Sequence, residues 1–365
     1  MKKKYLLAGA LTLAVLLGSC QANNSKPGDD KESLSRQSSA EQAQQKNDLE
    51  GDKASEDNAA EFKYISIPEN DYPRIDGSTA TLPLSYALYR LATGEGQDSA
   101  IGKIVHNKTT ESYIKLINRE VDIILSYAPP QELMEAIEEA GEGKPAKYIK
   151  KSGEYAEEIE VAPLLLKPVG KDALVFLVNQ GNPVSNISEE DIVKIYTGKI
   201  DNWKELGGSD AQIKAFQRPE KSGSQNLMEK LVMKDNKMIE PYPELIATEM
   251  GDLIERVASY DNTANALGYS VYYYAKNMKN DSSIKFLSVN RIAPDDGSIR
   301  NGDYPYTNEF YAAIRADADK NSYEYKLFEW LTGDDGQALV NYLGYVGVSE
   351  SGDKTKYKEI DKLLK

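Results

Sequence analysis

A run of six apolar residues in the middle of the chain, at positions 173–178 (ALVFLV), places the strongest constraint on its fold. A strand that is apolar at every position is buried on both faces, so its sheet needs a further layer packed against each side. From Phe62 onwards, strand-like segments alternate with segments whose apolar residues follow helical spacing. This alternation predicts an α/β fold with mainly parallel sheets. At 365 residues the chain is long enough for two cores, so two sheets are expected rather than one.

The individual elements follow from the same patterns. Short apolar runs predict strands, and apolar residues three or four positions apart predict helices. The predicted strands are 64–67, 104–105, 121–125, 173–178, 213–217 and, with mixed faces, 272–274, and the predicted helices are 84–91, 109–117, 133–140 and 227–232.

Hydroxyl-rich segments stand where the predicted strands end or the helices begin. In an open α/β sheet the ligand binds at this edge, beyond the carboxyl ends of the strands. Residues 75–81 (IDGSTAT) precede the helix of 84–91, residues 109–110 open another helix, and residues 126–127 end a strand. Ser and Thr also cap helices without any ligand, so each segment alone equally fits plain capping. Together with a nearby arginine, they predict a site for a dehydrated oxyanion.

Residues 218–224 (RPEKSGS) carry the positive charge that such a site needs. They offer a guanidinium group, two hydroxyls and a flexible glycine directly before a predicted helix. An arginine makes two parallel hydrogen bonds to a tetrahedral oxyanion. Glu220 is expected to hold the side chain of Arg218 in place. The alternative is a polar surface turn that binds no ligand.

The charge of the chain and the scarcity of two residue types exclude other functions. With 44 Lys and Arg against 58 Asp and Glu, the net charge is −14. A nucleic-acid partner is therefore not expected, because a phosphate backbone needs a basic surface. One Cys and one His exclude a disulfide framework and most zinc sites. Neither a metal nor another cofactor is predicted.

The single cysteine, Cys20, stands at the end of an export signal. Three N-terminal lysines precede an apolar stretch that is too short for a spanning helix. The sequence Leu-Gly-Ser-Cys at 17–20 resembles the bacterial lipobox. This resemblance implies that residues 1–19 are a signal peptide and that Cys20 is acylated. The alternative is an ordinary signal peptide with a chance cysteine.

Residues 20–61 differ in composition from the rest of the chain. They are rich in Gln, Asn, Ser and charged residues and poor in large apolar ones. Such a segment cannot bury enough surface to fold, so a disordered tether is predicted. The folded body is then expected at the extracytoplasmic face of the cell membrane, attached to the bilayer through the lipid on Cys20.

Several motifs, taken in order along the chain, resemble one known family. Residues 218–224 match an Arg-x-x-x-Ser-Gly-Thr motif, with serine in place of the final threonine, and Glu220 matches its acidic residue. Residues 77–79 match a Gly-Ser-Thr helix start. The family is that of the phosphate-binding proteins of bacterial phosphate ABC transporters, within the type 2 periplasmic-binding-protein superfamily. Further similar segments lie at 195–203, 267–269 and 336–346.

The resemblance implies two lobes joined by two crossovers, with an anion held between them. It implies a first lobe of 62–168 and 300–365 and a second of 169–299, with hinges at 163–171 and 292–304. The implied ligand is inorganic phosphate or a related oxyanion, delivered by a monomer to ABC permease subunits without catalysis. The implied ligand-binding residues are Gly77, Ser78, Thr79, Thr110, Ser126, Tyr127, Arg218, Ser222, Gly223 and Ser224.

The chain departs from the family pattern at one ligand position. The family strand usually ends in Ser-Asp, and that Asp accepts the proton of bound hydrogen phosphate, whereas Tyr127 follows Ser126 here. A phenol can accept or donate a hydrogen bond. Poorer discrimination between phosphate and sulfate is therefore expected, unless Glu220 or Asp76 enters the cleft.

Two other classes of function remain open. One is an anion sensor or accessory surface lipoprotein with the same fold. The other is a phosphatase or esterase with Ser222 or Ser224 as nucleophile. Against an enzyme, the chain has no Gly-x-Ser-x-Gly motif, and its single histidine, His106, stands in a weak context before a helix.

Overall fold

The computed structural model describes residues 61–152, 155–220, 222–259, 264–349 and 354–365. The predicted signal peptide, Cys20 and the predicted tether as far as residue 60 lie outside these ranges, and they stay predictions.

The strands of the described ranges vary widely in length. β5 is much the longest, and it positions the site because both halves of the fold use it. The strands are β1 (Ile75–Gly77), β2 (Ile123–Tyr127), β3 (Lys147–Ser152), β4 (Tyr155–Glu160), β5 (Leu164–Asn179), β6 (Asn186–Ile187), β7 (Lys214–Ala215), β8 (Ala266–Val271), β9 (Ile284–Phe286), β10 (Ser288–Val289), β11 (Thr307–Arg315) and β12 (Val346–Gly347).

The helices pack around these strands. A π-helical turn over Met228–Met233 directly continues α6. The α-helices are α1 (Leu82–Thr93), α2 (Gln97–Lys103), α3 (Thr109–Ile117), α4 (Gln131–Gly141), α5 (Glu189–Tyr196), α6 (Gly223–Leu227), α7 (Met250–Ser259), α8 (Asp296–Asn301), α9 (Tyr323–Leu331), α10 (Asp334–Tyr342) and α11 (Lys356–Leu363).

The long strand β5 runs through both lobes of the fold. Its first ten residues, 164–173, pair with β11, which in turn pairs with β2, and β2 pairs with β1. Residues 174–178 pair with β8 and residues 177–179 with β9, while β7 joins the far side of β8. The two expected sheets are instead joined through β5 into one eight-stranded sheet, in the order β1-β2-β11-β5-β8-β7 with β9 and β12 also paired to β5. We call the part with β1, β2, β11 and β12 the first lobe, and the part with β7, β8 and β9 the second lobe.

The expectation of mainly parallel sheets is wrong. β1 with β2 and β7 with β8 are parallel, but β11 pairs antiparallel with both β2 and β5, and β5 pairs antiparallel with β8, β9 and β12. The error has a physical cause. The apolar run at 173–178 is completely buried, as predicted, but burial on both faces says nothing about the direction of the neighbouring strands.

Three short predicted strands are not strands. Residues 64–67 form no ladder: the backbone N–H of Ile67 instead donates to the carbonyl of Ala92, at the end of α1 (2.8 Å). Ile104 caps the C-terminus of α2 through its bond to Ala100 (3.0 Å), and 104–105 is not extended into a sheet. Residues 272–274 leave β8 and begin a helical turn. Ile67, Ile104 and residues 272–274 are buried without strand pairing, whereas Tyr64 and Val105 are 43% and 64% exposed.

Within the described ranges, no helix combines the length and the apolar character that crossing a membrane requires.

Candidate functional site

The turn after β1 lies against the end of β2. The two strands are parallel, with Gly77 opposite Leu125, so both carboxyl ends reach the same edge of the sheet. The N–H of Ser78 donates to the carbonyl of Leu125 (3.1 Å). A Cβ atom at Gly77 would lie 1.9 Å from that carbonyl oxygen, so only glycine allows this approach. The predicted segments 77–79 and 126–127 are therefore adjacent.

His106 supports this turn. Its Nδ1 lies 2.6 Å from the carbonyl oxygen of Ser78 and its Nε2 lies 3.0 Å from Oγ of Ser85. Burial lowers the pKa of the imidazole, although the Ser78 carbonyl and Asp76 act in the opposite direction. The ring is engaged at both nitrogens within the first lobe. It holds the turn in place and has no free nitrogen to act as a general base.

Three of the predicted segments meet at Gly223, the first residue of α6. A Cβ atom placed there would lie 2.7 Å from Oγ1 of Thr109 and 3.7 Å from Cδ2 of Tyr127. Thr109 begins α3 and Tyr127 ends β2, both in the first lobe, whereas Gly223 belongs to the second. The lobes therefore touch where the sequence places hydroxyl-rich helix and strand ends.

Arg218 stands five residues before Gly223 in the chain and is buried, with only 5% of its surface exposed. Its Nε and Nη1 have no hydrogen-bond partner. Burial lowers the pKa of the guanidinium group. The negative charge of Glu249 acts in the opposite direction and is the largest of the effects that raise this pKa. Glu220 is exposed and forms no ion pair with Arg218, so the expectation that Glu220 holds this arginine is wrong.

Further unpartnered polar atoms belong to the segments that meet at Gly223. Those of Thr109, Ser126, Ser224 and Asn226 are buried, and none of them has a hydrogen-bond partner. Leaving a buried donor unpaired costs about 1–3 kcal/mol. Such a concentration of hydroxyl, amide and guanidinium groups suits an oxyanion, which accepts hydrogen bonds on every oxygen.

The remaining predicted residues occupy defined positions. Ser222 caps α6, because its Oγ accepts a bond from the N–H of Gln225 (3.3 Å). Ser78 Oγ lies 3.3 Å from Oγ1 of Thr81. Thr79 is half-buried in the turn, and Thr110 is buried in the first turn of α3.

Tyr127 does not offer its hydroxyl group as a free donor. The phenol donates to Oδ2 of Asp172 (2.5 Å), and both side chains are about 1% exposed. Asp172 Oδ1 accepts the N–H groups of Ala173 (2.8 Å) and Tyr273 (3.1 Å). Burial raises the pKa of Asp172 to about 6. Burial and the adjacent carboxylate raise the pKa of Tyr127.

Asp172 thereby joins elements of both lobes. It lies in β5 at the point where pairing changes from β11 to β8. Tyr127 comes from the first lobe, and Tyr273 follows β8 of the second. The ring of Tyr273 stacks on that of Tyr345 with 3.5 Å between centroids, and Tyr345 donates to the carbonyl of Ala80 (2.7 Å).

A second contact between the lobes is an ion pair at the surface. Nζ of Lys108 lies 2.9 Å from Oε1 of Glu249, and the two side chains are 46% and 61% exposed. Lys108 directly precedes α3, and Glu249 directly precedes α7. The pair therefore flanks the contact between Thr109 and Gly223.

The sequence did not single out Asp172, Asn226, Lys108 or Glu249. Asn226 is two residues beyond the Ser-Gly-Ser motif, and Asp172 is a charged residue adjoining an all-apolar strand. Both of these positions could have been recognised from the sequence. Nothing in the sequence pairs Lys108 with Glu249, which lies 141 positions away. In the part of the chain that the structure describes, no three His, Cys, Asp or Glu residues cluster as metal ligands.

Comparison with protein families gives one match over most of the chain. A family model described as a PBP superfamily domain matches residues 38–335. Among curated proteins, the phosphate-binding protein PstS of Borreliella burgdorferi is 29% identical over 188 residues, which are 48% of this chain and 63% of that protein. PstS of Bacillus subtilis is 28% identical over 209 residues, 56% of this chain and 66% of that protein. The matches thus span just under two thirds of these relatives.

Solved structures share the fold at lower identity. A Clostridium perfringens protein solved with bound phosphate superposes with a TM-score of 0.56 at 21% identity, covering 75% of this chain and 98% of that one. An ABC-type phosphate transport receptor from Vibrio cholerae gives a TM-score of 0.50 at 21% identity, covering 74% and 98%. At these identities the likeness shows a common architecture.

Proposed function

Because the chain belongs to the PBP superfamily, we propose that it is a solute-binding protein that captures inorganic phosphate, or a related oxyanion, between its two lobes. It then delivers the anion to an ABC permease. Acylated Cys20 anchors it at the extracytoplasmic face of the cell membrane. The phosphate-binding names of its relatives support this ligand class.

The observation that carries the proposal is the group of unpartnered donors at the contact between the lobes. Arg218 supplies charge-assisted bonds, and Thr109, Ser126 and Ser224 supply hydroxyl groups that nothing else in the described chain engages. Away from water, each of these bonds is stronger than in solution. The N-terminus of α3 adds backbone N–H groups and a positive dipole end.

The ligand-binding residues that we propose come from both lobes. An anion that is bonded to both lobes favours the closed arrangement. Opening the lobes would break hydrogen bonds to the anion and return their donors to water. We propose lobe bounds of 62–168 with 300–365 and 169–299, and hinges at 163–171 and 292–304. The proposed residues are Gly77, Ser78, Thr79, Thr110, Ser126, Tyr127, Arg218, Ser222, Gly223 and Ser224, together with Thr109.

A hydrolase is less well supported by the same geometry. A serine nucleophile needs a base within hydrogen-bond reach. His106 is bonded to Ser78 and Ser85, and Ser222 is used as a helix cap. We therefore propose binding and release without a chemical step.

Isothermal titration calorimetry of the full chain in detergent tests the ligand. We expect saturable, exothermic binding of inorganic phosphate with one site per chain. Absence of heat with both phosphate and sulfate at millimolar concentration would exclude the proposed function.

A further inference from the structure

A carboxylate and the buried arginine line one cavity of the second lobe. This cavity has a volume of about 730 Å³, and Arg218, Gln225 and Glu229 are among its lining residues. Glu229 lies in the π-helical turn over Met228–Met233 that continues α6. Such turns are rare, and they occur frequently at functional sites. An anion that Arg218 holds from this cavity therefore shares the cavity with the carboxylate of Glu229.

A chain of hydrogen bonds connects Arg218 to Glu229. The backbone N–H of Arg218 donates to the hydroxyl oxygen of Tyr269 (3.0 Å), and this hydroxyl donates to Oε1 of Gln225. Nε2 of Gln225 in turn donates to Oε1 of Glu229 (2.8 Å). Tyr269 and Gln225 are buried. The amide of Gln225 is thereby fixed in orientation, and it holds one carboxylate oxygen of Glu229 in place.

The second oxygen of this carboxylate is available to a ligand. In the described part of the chain, Gln225 is the one hydrogen-bond partner of the Glu229 side chain. Glu229 is exposed as a whole, but its carboxyl group is desolvated enough that burial raises its pKa. The bond from Gln225 lowers this pKa, and the charges of Glu220 and Glu132 raise it. An ionised carboxylate accepts hydrogen bonds and donates none, so Glu229 offers the cavity a fixed acceptor.

Other carboxylates near the anion-binding segments are less well suited to accept from a ligand. Glu220 lines the same cavity, but it is exposed and no described residue bonds to its carboxylate. An acceptor that is already held in position loses less conformational freedom on binding than a free one, which favours Glu229 over Glu220. The remaining carboxylates are engaged elsewhere: Asp76 by Gly77 and Asn107, Asp172 by Tyr127, and Glu249 by Lys108.

An acceptor beside the anion separates phosphate from sulfate. Hydrogen phosphate carries a P–O–H group that can donate to a carboxylate, whereas sulfate carries no proton near neutral pH. A carboxylate that faces sulfate receives no hydrogen bond and repels the charge of the anion. Tyr127, which directly follows Ser126, has already donated its hydroxyl proton to Asp172. An ionised side chain that only accepts is therefore needed from another part of the chain.

We propose that Glu229 accepts the proton of bound hydrogen phosphate and thereby makes the anion site select phosphate over sulfate. This inference rests on the function proposed above. Arg218 holds the anion by charge-assisted bonds. The second carboxylate oxygen of Glu229 takes the P–O–H hydrogen bond, while Gln225 keeps the carboxylate in that orientation.

Competition calorimetry with the full chain at pH 7.5 tests this selectivity, with inorganic phosphate and sulfate as the probes. We expect sulfate to bind at least about tenfold more weakly than phosphate, because one buried hydrogen bond corresponds to about that factor. If sulfate competes as well as phosphate, the inference is excluded while the proposed function stands. If neither anion binds, both fail.

The variant Glu229→Gln separates selection from a structural role. Gln225 would still hold the oxygen of the new amide, so the NH₂ group would face the anion and could donate but not accept. We expect phosphate to bind about tenfold more weakly and sulfate to bind more tightly. General damage to the fold would weaken both anions.

Glu220→Gln is the matched control, because Glu220 lines the same cavity without a fixed orientation. It should keep the ratio of sulfate to phosphate affinity of the wild type. An unchanged ratio in Glu229→Gln would contradict the assignment, and so would a loss of selectivity in Glu220→Gln alone.

Discussion

The hydroxyl group of Tyr127 donates a 2.5 Å hydrogen bond to Asp172, a residue 45 positions further along the chain. This bond fixes the end of β2, and with it the neighbouring Ser126, to the strand that both lobes share. The phenol proton is thus already donated to a carboxylate of the described chain. The side chain that follows Ser126 is bonded to β5 at the point where pairing changes from β11 to β8.

Replacing Arg218 should remove most of the affinity for anions. The substitution Arg218→Ala leaves a dehydrated anion without its charge-assisted partner, which costs on the order of 2–5 kcal/mol. Phosphate binding should weaken about 30-fold to several-thousand-fold in calorimetry. Arg74→Ala is the control, because Arg74 is an exposed arginine paired with Asp122. Unchanged affinity in Arg218→Ala would remove this residue from the site.

A methyl group at Gly223 should hinder closure of the lobes. The added Cβ atom would lie 2.7 Å from Oγ1 of Thr109 across the contact between the lobes. Overpacking of this kind costs about 1–3 kcal/mol, so phosphate binding should weaken about 10- to 100-fold. Gly96→Ala, at an exposed glycine with no atom within 4 Å of the new methyl, should bind like the wild type. If the two variants bind equally well, the contact does not control closure.

Asp172 should make stability depend on pH. Its pKa is raised from the usual 3.8 to about 6, so the folded state binds this proton more tightly than the unfolded state. The stabilisation from the protonated carboxyl is fully present below about pH 4 and is lost as the pH rises through about 6. It amounts to about 3 kcal/mol.

The variant Asp172→Asn should lack this dependence, because an amide does not ionise. Urea unfolding at pH 4, 5, 6 and 7 measures the free energy of unfolding of both proteins. The difference between variant and wild type should shift in favour of the variant as the pH rises through 4–6. Parallel pH profiles would show that Asp172 titrates normally.

The ion pair between Lys108 and Glu249 should contribute weakly and in a salt-dependent way. Both side chains are about half exposed, and pairs of this kind contribute at most about 1 kcal/mol. Lys108→Met should weaken phosphate binding less than about fivefold at low ionic strength, and the effect should vanish near 0.5 M salt. Lys147→Met, which breaks an exposed pair with Glu158 inside the β3–β4 hairpin, should have no effect. A loss that persists at high salt would contradict an electrostatic contribution of this ion pair.

Acylation of Cys20 predicts membrane attachment. Cys20→Ala should leave the protein unprocessed or release it from membranes, because the residue that carries the lipid is absent. Fractionation followed by mass determination of the N-terminus measures both. Unchanged membrane retention together with a cleaved N-terminus would contradict the lipobox interpretation.

Local patterns predicted the elements that bury a continuous apolar face. The run at 173–178 is buried at every position, and α1, α3 and α4 include the residues whose spacing predicted them. The same reasoning failed at 64–67 and 272–274. Ile67 and residues 272–274 are buried without strand pairing, and Tyr64 is 43% exposed, so apolar character alone did not predict pairing at either place.

The candidate site likewise combines residues that local patterns predicted with contacts that they did not predict. The order of residue types along the chain was enough to place Arg218, Ser126 and Ser224 among the candidates, because capping and anion binding depend on local backbone geometry at helix starts and strand ends. Three other outcomes required the folded chain: Glu220 forms no ion pair with Arg218, Tyr127 bonds to Asp172, and Lys108 pairs with Glu249. These contacts depend on the path of β5 from one lobe to the other. A contact between residues far apart in sequence is set by the path of the backbone, and it produces no periodic pattern in the sequence.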